Sequence, residues 1–116
     1  VTGVQTCALP ISELTTYYLN DSISTVNKNV ILQLKDNHIN ITGEGEKYDW
    51  VMSFLDAAKG WENMTPFYVD GVCCKNYYVT DNYMIYFLSE DMIVLTHNMM
   101  TSAGVRFVRV DSDYNY

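Results

Sequence analysis

The side chains in this chain that could do chemistry are few: His38, His97, the adjacent Cys73 and Cys74, and the acid pairs Glu44/Glu46 and Glu90/Asp91. A structural metal site needs three or four N, S or O ligands at recurring spacings, and neither histidine stands at such a spacing from the other or from the cysteines. Neighbouring residues on a strand face opposite ways, so a Cys73–Cys74 disulfide would be strained. The expectation is one buried small hydrophobe and one exposed thiol. Both acid pairs lie in turn-like stretches, where carboxylates are solvated and not poised as an acid–base dyad. His38 closes the turn-forming string Lys35-Asp36-Asn37-His38 and reads as a solvated turn residue. Gly43-Glu44-Gly45-Glu46 is an acidic connection that lacks the donors of a phosphate cradle. No GxGxxG, Walker, GxSxG, HExxH or CxxC pattern occurs. The chain is therefore expected to be no enzyme, with no catalytic, cofactor-binding or metal residues and no cofactor. Asn20, Asn40 and Asn63 begin Asn-x-Ser/Thr triplets, which carry weight only in a eukaryotic secretory setting.

Composition narrows the partners. Fourteen acids against seven bases give a net charge of −7, which disfavours nucleic acid, whose phosphates need Lys and Arg, and anionic membrane surfaces. Apolar residues make up 48% and charged residues 18%, the balance of a chain that folds around a core. No transmembrane segment is expected, since no run approaches the roughly 20 apolar residues of a spanning helix. Ten tyrosines against four phenylalanines suit a partly wet sheet, where the ring packs and the hydroxyl reaches water.

The elements follow from periodicity. Tyr77 to Leu88, with a break at Asp81-Asn82, then Met92 to Thr96, then Val105 to Val110 are dense in β-branched and aromatic residues and predict consecutive strands. Alternation puts Tyr83, Ile85 and Phe87 on one face, with Met84, Tyr86 and Leu88 on the other. Ile93 and Leu95 likewise oppose Met92, Val94 and Thr96. In the last strand Val105 and Phe107 share a face, Val108 and Val110 the other, and a bulge near Val108 would put Arg106 and Arg109 both in water. Val30 to Thr42 alternates about its turn and predicts a hairpin. Phe67-Tyr68-Val69, Asp70-Gly71 and Val72 onward predict a second, because Asp-Gly favours a two-residue turn. Lys75-Asn76 is a further candidate turn.

Trp50, Val51, Phe54, Leu55 and Ala58 form one helical stripe. They predict a helix over Asp49 to Lys59, with Asp49 as N-cap and Gly60 as stop; a Trp-bearing strand at Tyr48 to Met52 is the rival. Trp61 to Pro66 reads as a loop. Ser12 to Asn29 fits either a short helix or an edge strand. The fold class is mainly β: an antiparallel meander or a small barrel, closed or incomplete, with one short helix.

Residues 1–11, Val-Thr-Gly-Val-Gln-Thr-Cys-Ala-Leu-Pro-Ile, resemble a translated sequencing-library adapter. The expectation is a non-native tail over 1–11, with Cys7 and Pro10 outside fold reasoning. Residues 12–116 then form a single β-rich domain, truncated at its N-terminus.

The segment Tyr83-x-Ile85-x-x-Leu88-Ser89-x-Asp91-Met92-Ile93-Val94-Leu95-Thr96, followed after a variable loop by Val105-x-Phe107-x-Arg109, resembles the closing strands of small bacterial lipocalin-like (calycin-type) envelope domains. That resemblance implies a periplasmic or cell-envelope setting and a partner that is an apolar small molecule or a protein. The interior residues Ile85, Phe87, Ile93, Leu95 and Phe107 are the candidate ligand lining. The alternative is an acidic phage or mobile-element inhibitor that occludes a basic nucleic-acid groove of a host defence nuclease.

Overall fold

Where bulky residues alternate, the backbone is extended and every second side chain points into one shared interior. The computed structural model describes residues 11–22, 25–56, 60–97 and 104–110. Its strands are β1 (Thr15–Ser22), β2 (Thr25–Lys35), β3 (His38–Gly43), β4 (Glu62–Asn63), β5 (Thr65–Val69), β6 (Val72–Val79), β7 (Met84–Ser89), β8 (Met92–Thr96) and β9 (Val105–Val108), with helix α1 (Glu46–Leu55) between β3 and β4. All pairings are antiparallel, in the order β4-β3-β2-β1-β9-β8-β7-β6-β5. The circuit is up-and-down, and β9 returns to β1 through Tyr18↔Val108 and Leu19↔Phe107. Among the described residues the seam lies between β4 and β5, which follow one another along the chain with buried Met64 between them. The result is a nearly closed barrel, the architecture that removes most exposed strand edges.

The interior is built by alternation. Tyr17 and Leu19 of β1, Val30, Leu32 and Leu34 of β2, Ile39 and Ile41 of β3, Ile85 of β7, Ile93 and Leu95 of β8, and Val105 and Phe107 of β9 are buried in one cluster. Val51 and Leu55 of α1 join them, so the helix packs against the barrel interior. The opposite face of β7 and β8 is wetter: Leu88 is exposed, and Met92 and Val94 are half-buried.

Several expectations are met locally. Asp36 and Asn37 both take positive φ, 51° and 59°, between β2 and β3. Asp70 and Gly71, at 52° and 79°, do the same between β5 and β6. This is the hairpin turn whose twist matches that of paired strands. The break at Asp81-Asn82 is real: Thr80 N–H donates to the Tyr83 carbonyl at 2.9 Å, and the Thr80 hydroxyl accepts from the backbone N–H of Asn82 and Tyr83.

Others need correction. The stretch after Ser12 is neither helix nor edge. β1 lies inside the sheet, because Tyr17 and Leu19 supply an inward face among polar neighbours. The helix begins at Glu46, with Gly45 at the N-cap, while Asp49 sits in the first turn and donates its N–H to the Gly45 carbonyl. It stops at Asp56, which is left-handed, so Gly60 is not the stop. Trp50 belongs to the wet side at 52% exposure, stacked on Phe54 at 5.6 Å. Trp61 to Pro66 is not a loop but holds β4 and the start of β5. Lys75-Asn76 is no turn: it lies within β6 where the register with β5 shifts, and Asn76 has φ 66°. No bulge interrupts β9, which pairs with β8 in register from Val105 to Val108. Arg109 falls beyond the strand end, 3.6 Å from the Asp91 carboxylate. Cys73 is buried and disulfide-bonded, while Cys74 is a half-exposed free thiol. Residues 1–10 of the adapter-like string lie outside the described residues. Its last residue, Ile11, exchanges hydrogen bonds with Asn37.

Candidate functional cleft between β6 and β7

The cleft arises from a mismatch in strand length. β7 pairs with β6 only through Tyr77↔Tyr86, Tyr78↔Ile85 and Val79↔Met84. β6 then bends at Asn76 and continues toward Val72 alongside β5. Phe87 and Ser89 remain paired to β8 alone among the described strands, and Leu88 falls at the register shift between them. The space that opens is about 320 Å³, lined by Ile11, Asn76, Tyr78, Phe87, Leu88, Ser89 and Glu90. Strand alternation places it at the barrel end opposite α1, since β3 runs into the helix and β8, parallel to it in the circuit, starts from the cleft side.

The walls are held by specific contacts. Phe87 meets Tyr78 edge-on, with ring centroids 5.6 Å apart, a favoured aromatic geometry. On the other side of these strands Tyr77 and Tyr86 stack at 4.4 Å. Tyr17 donates its hydroxyl to the Glu90 carbonyl at 2.7 Å, which ties the β7–β8 turn to β1. Arg109 N–H donates to the Asp91 carbonyl at 2.9 Å, securing the same turn from β9. Ile11 is fixed on the far wall: its N–H donates to Asn37 Oδ1 at 2.6 Å, and it accepts from Asn37 N–H at 2.8 Å.

Electrostatically the cleft is quiet. Burial raises the Tyr78 phenol above its ordinary pKa. Burial pushes Tyr17 up to about 12, with Arg109 pulling the other way and Asp91 and Glu90 adding to the rise. Both phenols are neutral donors at physiological pH. The lining combines apolar walls with a rim of Asn76, Ser89 and Glu90, the chemistry of a small-ligand site.

All five residues expected to line an interior gather in or against one cluster, but not alike. Ile85, Ile93, Leu95 and Phe107 are fully buried among one another and the residues of α1. Phe87 is half-buried and is the member of the five that reaches this cleft. Ile11, Asn76, Tyr78, Leu88, Ser89 and Glu90 were not singled out by sequence. The available signal was the left-handed tolerance of Asn76, which marks where β6 departs. His97 packs against Phe54 at 5.0 Å, away from the cleft. His38 Nδ1 lies 2.7 Å from the Asp36 carbonyl in its turn. Among the described residues no three His, Cys, Asp or Glu side chains gather as a metal site requires. No helix among them is long and apolar enough to cross a membrane.

Comparison with protein-family models, with curated proteins and with solved structures finds no match to the chain.

Proposed function

We propose that this barrel is a non-catalytic, lipocalin-like binding module that takes an apolar small molecule in the cleft between β6 and β7. The observation that carries the reading is the position of Phe87. It packs against the core on one side and lines an open cleft of about 320 Å³ on the other. A ligand ring or chain entering there trades water for Phe87, Tyr78 and Leu88, while Ser89 and Asn76 orient a polar end. Deeper entry would require parting Ile85, Ile93, Leu95 and Phe107, which are fully packed.

The test is titration with N-phenyl-1-naphthylamine, a neutral apolar fluorophore. The reading expects saturable enhancement at one site and about tenfold weaker binding in Phe87→Ala, the scale of a buried aromatic anchor. Trp50→Ala, at the opposite end, leaves binding unchanged. No saturable signal, or full binding by Phe87→Ala, overturns the reading.

A further inference from the structure

A second surface, independent of the Phe87 cleft, is organised around Trp61. This indole is 48% exposed. It borders two separate hollows. One, of about 350 Å³, brings Trp61, Glu62 and Asn63 together with Thr80, Asp81 and Asn82 from the β6–β7 turn. The other, of about 360 Å³, sets the same Trp61 against Lys35, Asp36 and His38 of the β2–β3 turn. Three segments far apart in sequence thus converge on one aromatic plate.

The polar groups here are held in place before any ligand arrives. Asn82 Nδ2 donates to Glu62 Oε1 at 2.6 Å, and the charge of that carboxylate also acts on the buried Tyr83 phenol. The Thr80 hydroxyl accepts the backbone N–H of Asn82 at 3.2 Å and of Tyr83 at 3.1 Å. On the other side His38 is oriented by the Asp36 carbonyl. Groups fixed in advance lose little freedom on binding, which matters most for ligands recognised by many weak hydrogen bonds.

We propose that this surface binds a neutral oligosaccharide, with Trp61 as the stacking platform between two adjacent sugar subsites. A pyranose ring has an apolar C–H face and a rim of hydroxyls that both donate and accept. The indole face complements the first. The mixed carboxylates, amides and hydroxyls on either side complement the second. Asp36, Glu62 and Asp81 outnumber Lys35 around the plate, so a sugar bearing carboxylate or sulfate groups is repelled and a neutral one is accepted. A cation–π site for a quaternary amine would gather several aromatic rings around the charge, whereas a single indole serves both hollows here.

The experiment uses the Trp50→Phe chain, in which Trp61 is the remaining tryptophan of the two. Its emission is followed during titration with cellotetraose, maltotetraose, xylotetraose and chitotetraose, and affinities are repeated by calorimetry. With at least one of these, saturable binding is expected. Trp61→Ala and Asp81→Asn each weaken it by about tenfold or more, as loss of a central aromatic or buffered polar contact does. Trp61→Phe retains most of it, and Phe87→Ala leaves it intact. Trp61 and Asp81 are both exposed, so these variants are expected to fold, and circular dichroism confirms it. Absence of binding by all four sugars overturns the proposal. So does binding that survives Trp61→Ala, or a Trp61 response to tetramethylammonium in place of the sugars.

Discussion

Asn82 and Glu62 are joined by a 2.6 Å amide–carboxylate hydrogen bond, which ties the β6–β7 turn to the edge strand β4 on the other side of the seam. The sheet itself leaves β4 and β5 unpaired with one another among the described residues, so side chains do what a backbone ladder would do elsewhere. Hydrogen bonds to a charged group contribute about 1.5–3 kcal/mol when partly buried. Asn82→Ala is expected to lower unfolding free energy by about 1.5 kcal/mol in urea titration, with an unchanged far-ultraviolet spectrum. No change in midpoint would remove the seam role assigned to this pair.

Core truncations separate the interior from the cleft wall. Phe107 is fully buried and Leu88 is 45% exposed. Phe107→Ala should cost about 3–5 kcal/mol, enough to unfold much of a small domain at 25 °C, whereas Leu88→Ala stays within about 0.5 kcal/mol. Chemical denaturation of the two variants reads the difference directly.

Alkaline stability follows from buried phenols, Tyr17 and Tyr83 foremost, with Tyr78 raised by burial in the same direction. Tyr17 is pushed from 10.0 to about 12, chiefly by burial. Tyr83 is raised further by burial and by the Glu62 charge. Each holds its proton in the folded chain after the unfolded chain has released it. The unfolded state then binds fewer protons, so stability is fully present below pH 10 and falls as pH climbs toward 12. One such tyrosine gives a slope of up to about 1.4 kcal/mol per pH unit. Urea midpoints measured across this range, with phenolate absorbance followed in parallel, should show the fall. Tyr17→Phe should flatten it, and a pH-independent midpoint would contradict it.

Gly43 tests the β2–β3 register. It pairs with Val30, and a Cβ there would collide with the Asn29 carbonyl oxygen, a backbone atom that cannot move aside cheaply. Gly43→Ala is expected to cost about 2 kcal/mol or more. Equal stability to the parent would mean that β3 ends before Gly43.

What was legible in the sequence was local. Asp36-Asn37 and Asp70-Gly71 could be read as turns because their conformational tolerance lies in the residues themselves. The alternation of Ile85, Ile93 and Leu95 declared an inward face without reference to partners. β1 was not legible as an interior strand, because its polar residues hide Tyr17 and Leu19, and its neighbours β2 and β9 include the far end of the chain. Helix α1 started early because Gly45, with no capping side chain, leads out of β3, while Asp49 looked the better cap. The stripe counts Trp50 as inward, although the helix buries Val51 and Leu55 and leaves Trp50 exposed. Neither the Phe87 cleft nor the Trp61 surface carries a sequence motif. The Phe87 cleft depends on where β6 leaves β7, and the Trp61 hollows exist only once residues near 36, 62 and 81 are folded together.

Backbone amide mapping by NMR during titration with N-phenyl-1-naphthylamine tests the central claim most directly. The account predicts shifts concentrated at Asn76, Tyr78 and Phe87 to Glu90, the lining of the β6–β7 cleft, with α1 silent. Shifts centred on α1, or spread evenly through the barrel, would contradict it.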